Sequence, residues 1–186
     1  MATQPSTIGT RPVGVPARIV LTGFMGSGKS TVGRLLARIL RWRFIDADQH
    51  IETLAGIPIT EIFRQHGELH FRQLEHEAIA RLLTGNSLVL ALGGGAIEHD
   101  STRQLLLTTP GTRLVHLEAS LDTVLKRCAG TDDTRPVLAD RANLSARYDH
   151  RLPLYRQAHL SLNVDDLPPY LAAQAVARQL GLHPPR

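Results

Sequence analysis

Short apolar runs alternate along the chain with longer segments whose apolar residues recur at helical spacing. The apolar runs predict strands at 18–23, 43–46, 87–92, 112–117 and 159–163. The segments between and after them predict helices near 29–40, 48–54, 58–65, 68–84, 100–108, 120–128, 141–157 and 167–180. Strands and helices that alternate in this way predict an α/β fold, in which helices cover both faces of a parallel sheet.

Length and composition predict a single domain. The chain has 186 residues, and its hydrophobic share of 42% and charged share of 20% are ordinary for a globular protein. We expect one domain over 18–182, preceded by a flexible tail over 1–17, which contains three prolines and no acidic residue. Residues 130–136 form a polar segment between two predicted helices, where a functional loop or lid would fit.

Composition also bears on the compartment and the partners. No stretch approaches the roughly 20 apolar residues of a membrane span, so we expect no membrane partner. The one cysteine, Cys128, cannot form an internal disulfide, which favours a reducing, cytoplasmic location. The net charge of +4 comes from basic residues scattered singly, which argues against nucleic acid. We therefore expect a cytoplasmic monomer whose partners are small molecules.

One motif carries chemistry by itself. Residues 23–31 read Gly-Phe-Met-Gly-Ser-Gly-Lys-Ser-Thr, a phosphate loop between a predicted strand and a predicted helix. In such a loop the glycines let backbone N–H groups face phosphate oxygens, the lysine reaches the β and γ phosphates, and the next hydroxyl binds Mg²⁺. The residues expected to bind the nucleotide are Gly26, Ser27, Gly28, Lys29, Ser30 and Thr31, with Ser30 on the metal. The motif leaves the phosphoryl acceptor open.

Two further features follow predicted strands. Asp46 and Asp48 come at the end of the second strand, and Gly93–Gly95 come directly after the third. Ligands of open parallel sheets bind at the carboxyl ends of the strands, so both features should meet the phosphate loop. One aspartate can approach Mg²⁺ through water, and the other can take a proton from an acceptor hydroxyl. Alternatively, Asp48 caps a helix and the glycines form only a tight turn.

Four arginines have both a functional and a purely structural interpretation. Arg72 can offer a guanidinium fork to a carboxylate, or it can form a surface ion pair with Glu68 and Glu75. Arg135, in the polar segment, can bring charge to a transferring phosphoryl group, or it is a solvated loop residue. Arg151, near Pro153 and Tyr155, can likewise be a solvated residue. Arg127, just before the polar segment, can stack on a base.

Taken together, these segments resemble the shikimate kinase family over roughly residues 18–180. The resemblance rests on the phosphate loop, Phe-Ile-Asp-Ala-Asp at 44–48, Gly67-Glu68 with Phe71-Arg72 and Glu75, the triple glycine, Arg135-Pro136-Val137-Leu138, and Arg151-Leu152-Pro153-Leu154-Tyr155. It implies a three-layer αβα P-loop kinase fold with a central five-stranded parallel sheet. It also implies a substrate-binding region at about 47–75 and a mobile lid at about 129–140.

The resemblance also implies an activity and roles for residues. The activity is ATP-dependent phosphorylation of the 3-hydroxyl of shikimate, giving shikimate 3-phosphate and ADP in aromatic amino-acid (chorismate) biosynthesis, with Mg²⁺ as cofactor. The implied catalytic residues are Asp48, as the base, with Lys29 and Arg135. The implied shikimate-binding residues are Asp48, Arg72, Gly93, Gly94, Gly95 and Arg151. Asp46 would support the Mg²⁺ shell through water, Arg135 would close over the phosphates, and Arg127 would lie near the adenine.

Two other functions stay open at this point. A related sugar-acid kinase of the gluconate type would share the phosphate loop, whereas Arg72, Arg151 and the triple glycine favour a cyclic hydroxy-carboxylate. A nucleotide-binding module without transfer chemistry would need neither Asp48 nor Arg135.

Overall fold

A computed structural model of the chain describes residues 14–129 and 141–183. Five parallel strands form one sheet in the order β2-β3-β1-β4-β5. They are β1 Arg18–Thr22, β2 Arg43–Asp46, β3 Leu88–Ala91, β4 Thr112–Glu118 and β5 Leu160–Asn163. Each strand lies within two residues of its predicted bounds, and the α/β class with a five-stranded parallel sheet is confirmed.

Helices cover the two faces of this sheet. They are α1 Lys29–Leu40, α2 Ala47–Ala55, α3 Ile59–Leu82, α4 Asp100–Thr108, α5 Leu121–Cys128, α6 Arg141–Tyr155 and α7 Pro169–Gln179, with a short 3₁₀ helix at Ala96–Glu98. None of the described helices is long and apolar enough to cross a membrane. The expected tail falls mostly, and the expected lid almost wholly, outside the described residues, so both stay predictions.

The segment α3 contains the break that the sequence predicts. The sequence predicts two helices, near 58–65 and 68–84, and the structure has two helices that meet at a kink within Ile59–Leu82. Within it, Gly67 has φ 79° and ψ 173°, which is not helical. The axis kinks there without a connecting loop, because glycine adopts a positive φ without the steric cost of a Cβ.

The register of the strands determines which residues reach the carboxyl edge together. Asp46 at the end of β2 pairs with Ala91 of β3, and Ala91 pairs with Leu21 of β1. The residues that follow these three strands therefore leave the sheet at the same level. This alignment is the reason why the phosphate loop, the aspartates and the triple glycine meet.

Burial explains why the strands and helices pack in these layers. Both β1 and β3 are buried along their whole length, as expected for central strands covered by helices on both faces. Helix α1 turns an apolar face to the sheet, and there Gly33 lies so close to Phe44 that a Cβ would come 2.5 Å from the ring. A second, smaller apolar cluster joins α2 to α3 through Ile51, Ile62, Phe71 and Ala78. The segment that carries Arg72 is thus built on a core of its own.

Arg18 holds the turns at the amino ends of the strands, on the side of the sheet opposite to the phosphate loop. Its side chain is buried, and its guanidinium donates to the carbonyls of Leu83, Gly85 and Pro110 and to the hydroxyl of Thr112. These acceptors belong to the turns before β3 and β4. One side chain therefore satisfies several backbone carbonyls that would otherwise be left unpaired.

Replacing Arg18 tests this structural role. Arg18→Met keeps much of the apolar stem but leaves the carbonyls without their donor, so we expect the free energy of unfolding to fall by about 2–4 kcal/mol. Urea denaturation measures it. Arg38→Met, at an exposed position of α1, is the matched control and should change stability by less than about 0.5 kcal/mol. Equal stabilities for the two variants would contradict the role of Arg18.

Candidate active site

A cleft of about 890 Å³ opens at the carboxyl edge of the sheet. The phosphate loop, the residues after β2 and β3, and side chains of α3 and α6 form its walls. The sequence-predicted site residues that line it are Gly26, Ser27, Gly28, Lys29, Ser30, Thr31, Asp46, Asp48, Arg72, Gly93, Gly94, Gly95, Arg127 and Arg151. Arg135 lies outside the described residues, so its predicted place in the site stays a prediction.

The phosphate loop presents an open helix end to this cleft. Gly28 precedes α1 with a left-handed φ of 92°, and no described side chain caps the helix at that position. The first turn of α1 contains no acidic residue. The backbone N–H groups at this end and the positive end of the helix dipole therefore suit an anion. At the start of the loop, Gly23 packs so closely that a Cβ would lie 2.6 Å from the Leu117 carbonyl oxygen.

Lys29 lies over the loop that precedes it. Its amino group donates to the carbonyls of Gly23, at 2.8 Å, and Phe24, at 2.9 Å. These contacts hold a positive charge inside the loop. The amino group has three donors, so it can bind a phosphate oxygen as well as a loop carbonyl.

Ser30 and Asp46 are in direct contact. The Ser30 hydroxyl donates to Asp46 Oδ2 at 2.6 Å, so the two predicted metal ligands face one point. Both are hard oxygen donors, as Mg²⁺ requires. Among the described residues no group of three or more His, Cys, Asp or Glu side chains forms a metal cage. A pair of oxygens beside a phosphate site fits Mg²⁺, which usually takes few protein ligands together with substrate phosphates and water.

Asp48 does not cap α2. The helix begins at Ala47 and the N-cap position belongs to Asp46, so Asp48 stands in the first turn. Burial, reinforced by the nearby Asp46 carboxylate and opposed by Lys29, raises the pKa of Asp48. The capping alternative is therefore wrong, and Asp48 is a half-buried carboxylate that lines the cleft.

The three glycines Gly93–Gly95 leave space that functional side chains occupy. A Cβ on the first glycine would lie 2.5 Å from Asp48 Oδ1, and one on the third would overlap the guanidinium of Arg72. A Cβ on the middle glycine would lie 3.5 Å from Arg151 Nη1. The segment also turns, but none of the three residues has a positive φ. Close approach, and not the turn itself, is thus the reason for glycine here.

Arg72 forms both of the ion pairs that its spacing allows, and the two differ. It donates to Glu75 at 2.7 Å and to Glu68 at 3.2 Å. Glu68 is exposed, whereas the side chain of Glu75 is only 1% exposed. Burial, opposed by Arg72 and reinforced by Asp48, raises the pKa of Glu75 to about 7. The surface interpretation therefore holds for Glu68 alone, because the pair with Glu75 lies inside the wall of the cleft.

Arg151 and Tyr155 lie one turn apart on α6 and both face the triple glycine. The Tyr155 hydroxyl donates to the Gly94 carbonyl at 2.6 Å, and its ring stacks on His116. Arg151 is buried and lines the cleft. Sequence reasoning named Tyr155 only within a motif. Its spacing of four from Arg151, which puts both on one helix face, is the signal that could have revealed its role.

Arg127 closes the far end of the cleft. Its guanidinium donates to the carbonyls of Val164 and Asp165, which follow β5. Four apolar residues line the cleft beside it, namely Val164, Leu167, Pro169 and Ala172. An apolar slot edged by a guanidinium plane is suited to a flat aromatic base.

Comparisons with known proteins agree with this geometry. The family model for shikimate kinase matches residues 25–180. A shikimate kinase of Moorella thermoacetica is 44% identical over 89% of this chain and 93% of its own length, and one of Nitrobacter winogradskyi is 44% identical over 89% and 80%. A solved shikimate kinase of Acinetobacter baumannii, in complex with shikimate, superposes with a TM-score of 0.81 at 35% identity, covering 89% of this chain and 93% of that one. The chain therefore belongs to the shikimate kinase family.

Proposed function

We propose that this chain transfers the γ-phosphoryl group of ATP to the 3-hydroxyl of shikimate, giving shikimate 3-phosphate and ADP in aromatic amino-acid biosynthesis. One observation carries the proposal: a phosphate loop and a pair of arginines line the same cleft. The half-buried Asp48 lines it too, and the charges of Lys29 and Arg72 both act on its carboxyl group. The phosphate loop is suited to a polyphosphate, and the pair of arginines is suited to a small carboxylate. Family membership supports the same pair of substrates.

The donor end binds ATP. The open end of α1 and the backbone of Gly26 and Gly28 hold the phosphates, and the Lys29 amino group donates to phosphate oxygens as well as to a loop carbonyl. The base occupies the apolar slot beside Arg127. Ser30 and Asp46 would hold Mg²⁺, and the ion would supply positive charge to the phosphates.

The acceptor end binds shikimate. Arg72 and Arg151 each offer parallel N–H groups to its carboxylate, which is the geometry that a guanidinium provides best. The backbone of Gly93–Gly95 forms the floor, because close approach there meets no side chain. The ring is thereby oriented with its 3-hydroxyl toward Asp48.

Transfer requires a base and positive charge around the moving group. The 3-hydroxyl oxygen bonds to the γ-phosphorus, the bond from that phosphorus to the bridging β–γ oxygen breaks, and the hydroxyl proton passes to Asp48. Because burial and Asp46 raise the pKa of Asp48, its carboxylate accepts a proton more readily than an exposed one. Lys29, with Arg135 as predicted from the sequence, stabilises the charge on the phosphoryl oxygens. That the protein works as a cytoplasmic monomer stays a prediction of the sequence.

A coupled assay of ADP release with shikimate, with gluconate and without acceptor tests the function. We expect ADP release with shikimate alone to rise well above the rate without acceptor. Turnover with gluconate in place of shikimate would favour the sugar-acid kinase. A rate that no acceptor changes would favour a nucleotide-binding module.

Asp48→Asn tests the base. The amide keeps the shape of the side chain but cannot take a proton, so kcat should fall by about 100-fold or more while ATP binding persists. Steady-state kinetics measures kcat, and calorimetric titration with ATP measures the affinity for ATP. Asp122→Asn, at an exposed position of α5, should leave kcat unchanged. Near-normal turnover of Asp48→Asn would exclude a role for Asp48 as base.

Arg72→Ala tests the carboxylate clamp. Loss of a charged hydrogen-bond partner from a largely buried site costs about 2–5 kcal/mol, so shikimate should bind at least about tenfold more weakly. Titration calorimetry measures that affinity directly. Arg64→Ala is the matched control, since Arg64 pairs with Glu61 on an exposed face of the same helix. An unchanged affinity for shikimate would contradict the clamp.

A further inference from the structure

The arginine that faces the cleft from α6 is held by a carboxylate behind it. Arg151 Nη2 donates to Glu98 Oε2 at 2.7 Å, although the two residues are 53 positions apart. Arg151 lines the cleft, and Glu98, at the end of the 3₁₀ helix after the triple glycine, is not among the lining residues. Glu98 therefore contacts the guanidinium without itself lining the cleft.

The contact with Glu98 uses one nitrogen of the guanidinium, Nη2. Arg151 Nη1 lies beside Gly94, where a Cβ would be 3.5 Å away, and the guanidinium carbon is 5.9 Å from the centre of the Phe24 ring. Arg151 Nε is buried, and no described residue accepts a hydrogen bond from it. Glu98 thus anchors the guanidinium through Nη2, and the planar group cannot rotate without breaking that bond.

Glu98 also helps to dock α6 on the loop that follows β3. Its other oxygen, Oε1, lies 3.8 Å from Nε2 of His150, the residue next to Arg151. One turn further along the helix, the Tyr155 hydroxyl reaches the Gly94 carbonyl. The loop and the helix therefore meet at two points, one on each side of the guanidinium.

The second arginine of the clamp is held in a similar way. Arg72 donates to the buried Glu75, which comes three residues later on α3. Each arginine is therefore paired with a carboxylate of the protein itself. An arginine already held in its binding geometry loses less conformational freedom when a ligand arrives.

We propose that Glu98 is a positioning residue for the carboxylate clamp: it holds Arg151 in the orientation that binds the acceptor carboxylate. The proposal rests on the function proposed above and adds to it a residue that contacts neither substrate. The opposite role, in which Glu98 competes with the substrate for Arg151, is disfavoured because Glu98 does not line the cleft and bonds to Nη2 alone.

The kinetic test uses Glu98→Ala and Glu98→Gln in the full chain. Immobilising one side chain accounts for about a fivefold change in affinity, so Glu98→Ala should raise the KM for shikimate by that factor while kcat and the KM for ATP hold. Glu98→Gln should be affected less, because its amide oxygen still accepts from Nη2. In an Arg151→Lys background, Glu98→Ala should have no further effect, since Glu98 acts through the guanidinium.

Glu118→Ala is the matched control. Glu118 pairs with Arg156, directly after α6, at 2.6 Å, and neither residue lines the cleft. This variant should leave the KM for shikimate unchanged. An unchanged KM in Glu98→Ala would overturn the proposal, and so would a lowered KM, which would make Glu98 a competitor. Equal effects of the Glu98 and Glu118 variants would also overturn it, because they would indicate general destabilisation.

A second measurement separates this proposal from the proposed function. Nitrogen-15 relaxation of the Arg151 Nε–H group, recorded without substrates, should show an ordered side chain in the wild type and a mobile one in Glu98→Ala. Unchanged relaxation would overturn the positioning role whatever the substrate is. A wild type that does not phosphorylate shikimate would overturn the proposed function, while the relaxation result would still decide whether Glu98 holds Arg151.

Discussion

The acceptor end of the cleft depends on the space left by the missing side chains of Gly93–Gly95. Two of the three positions lie so close to Asp48 and Arg72 that even a Cβ would overlap them, and the middle position borders Arg151. The backbone there has no left-handed φ, so the glycines are needed for room and not for the turn. Because of this room, a carboxylate and two guanidinium groups from three different elements converge on one short stretch of backbone.

The carboxyl ends and the amino ends of the strands have different roles. At the carboxyl edge, parallel register brings the ends of β1, β2 and β3 to one level, and the backbone leaves the sheet toward ligands. At the opposite edge, Arg18 closes the turns before β3 and β4 by donating to their carbonyls. Stability is thus concentrated away from the cleft, and the carboxyl edge is free to hold buried charges that a core would not tolerate.

The cations of the cleft are held by other groups of the protein. Lys29 is held by loop carbonyls, Arg72 by Glu75, and Arg151 by Glu98. Burial raises the pKa of both Asp48 and Glu75, since neighbouring carboxylates reinforce the cost of leaving water. A site whose cations are already oriented needs little rearrangement to bind a carboxylate and a phosphate, and this preorganisation is the main means by which phosphoryl transfer is catalysed.

The sequence by itself determined the succession of strands and helices along the chain, the phosphate loop and the family. Each of these depends on local spacing or on motifs of neighbouring residues. It also named Asp48, Arg72 and Arg151. It could not decide whether Asp48 caps a helix or whether Arg72 forms only a surface ion pair. Only the tertiary structure decided these: the helix starts at Ala47, Glu75 is buried while Glu68 is exposed, and Glu98 reaches Arg151 across 53 residues. Burial and contacts between distant segments arise from packing, which local periodicity does not encode. That is the physical reason why the sequence could point to the ends of the strands but not to the side chains that hold the arginines in place.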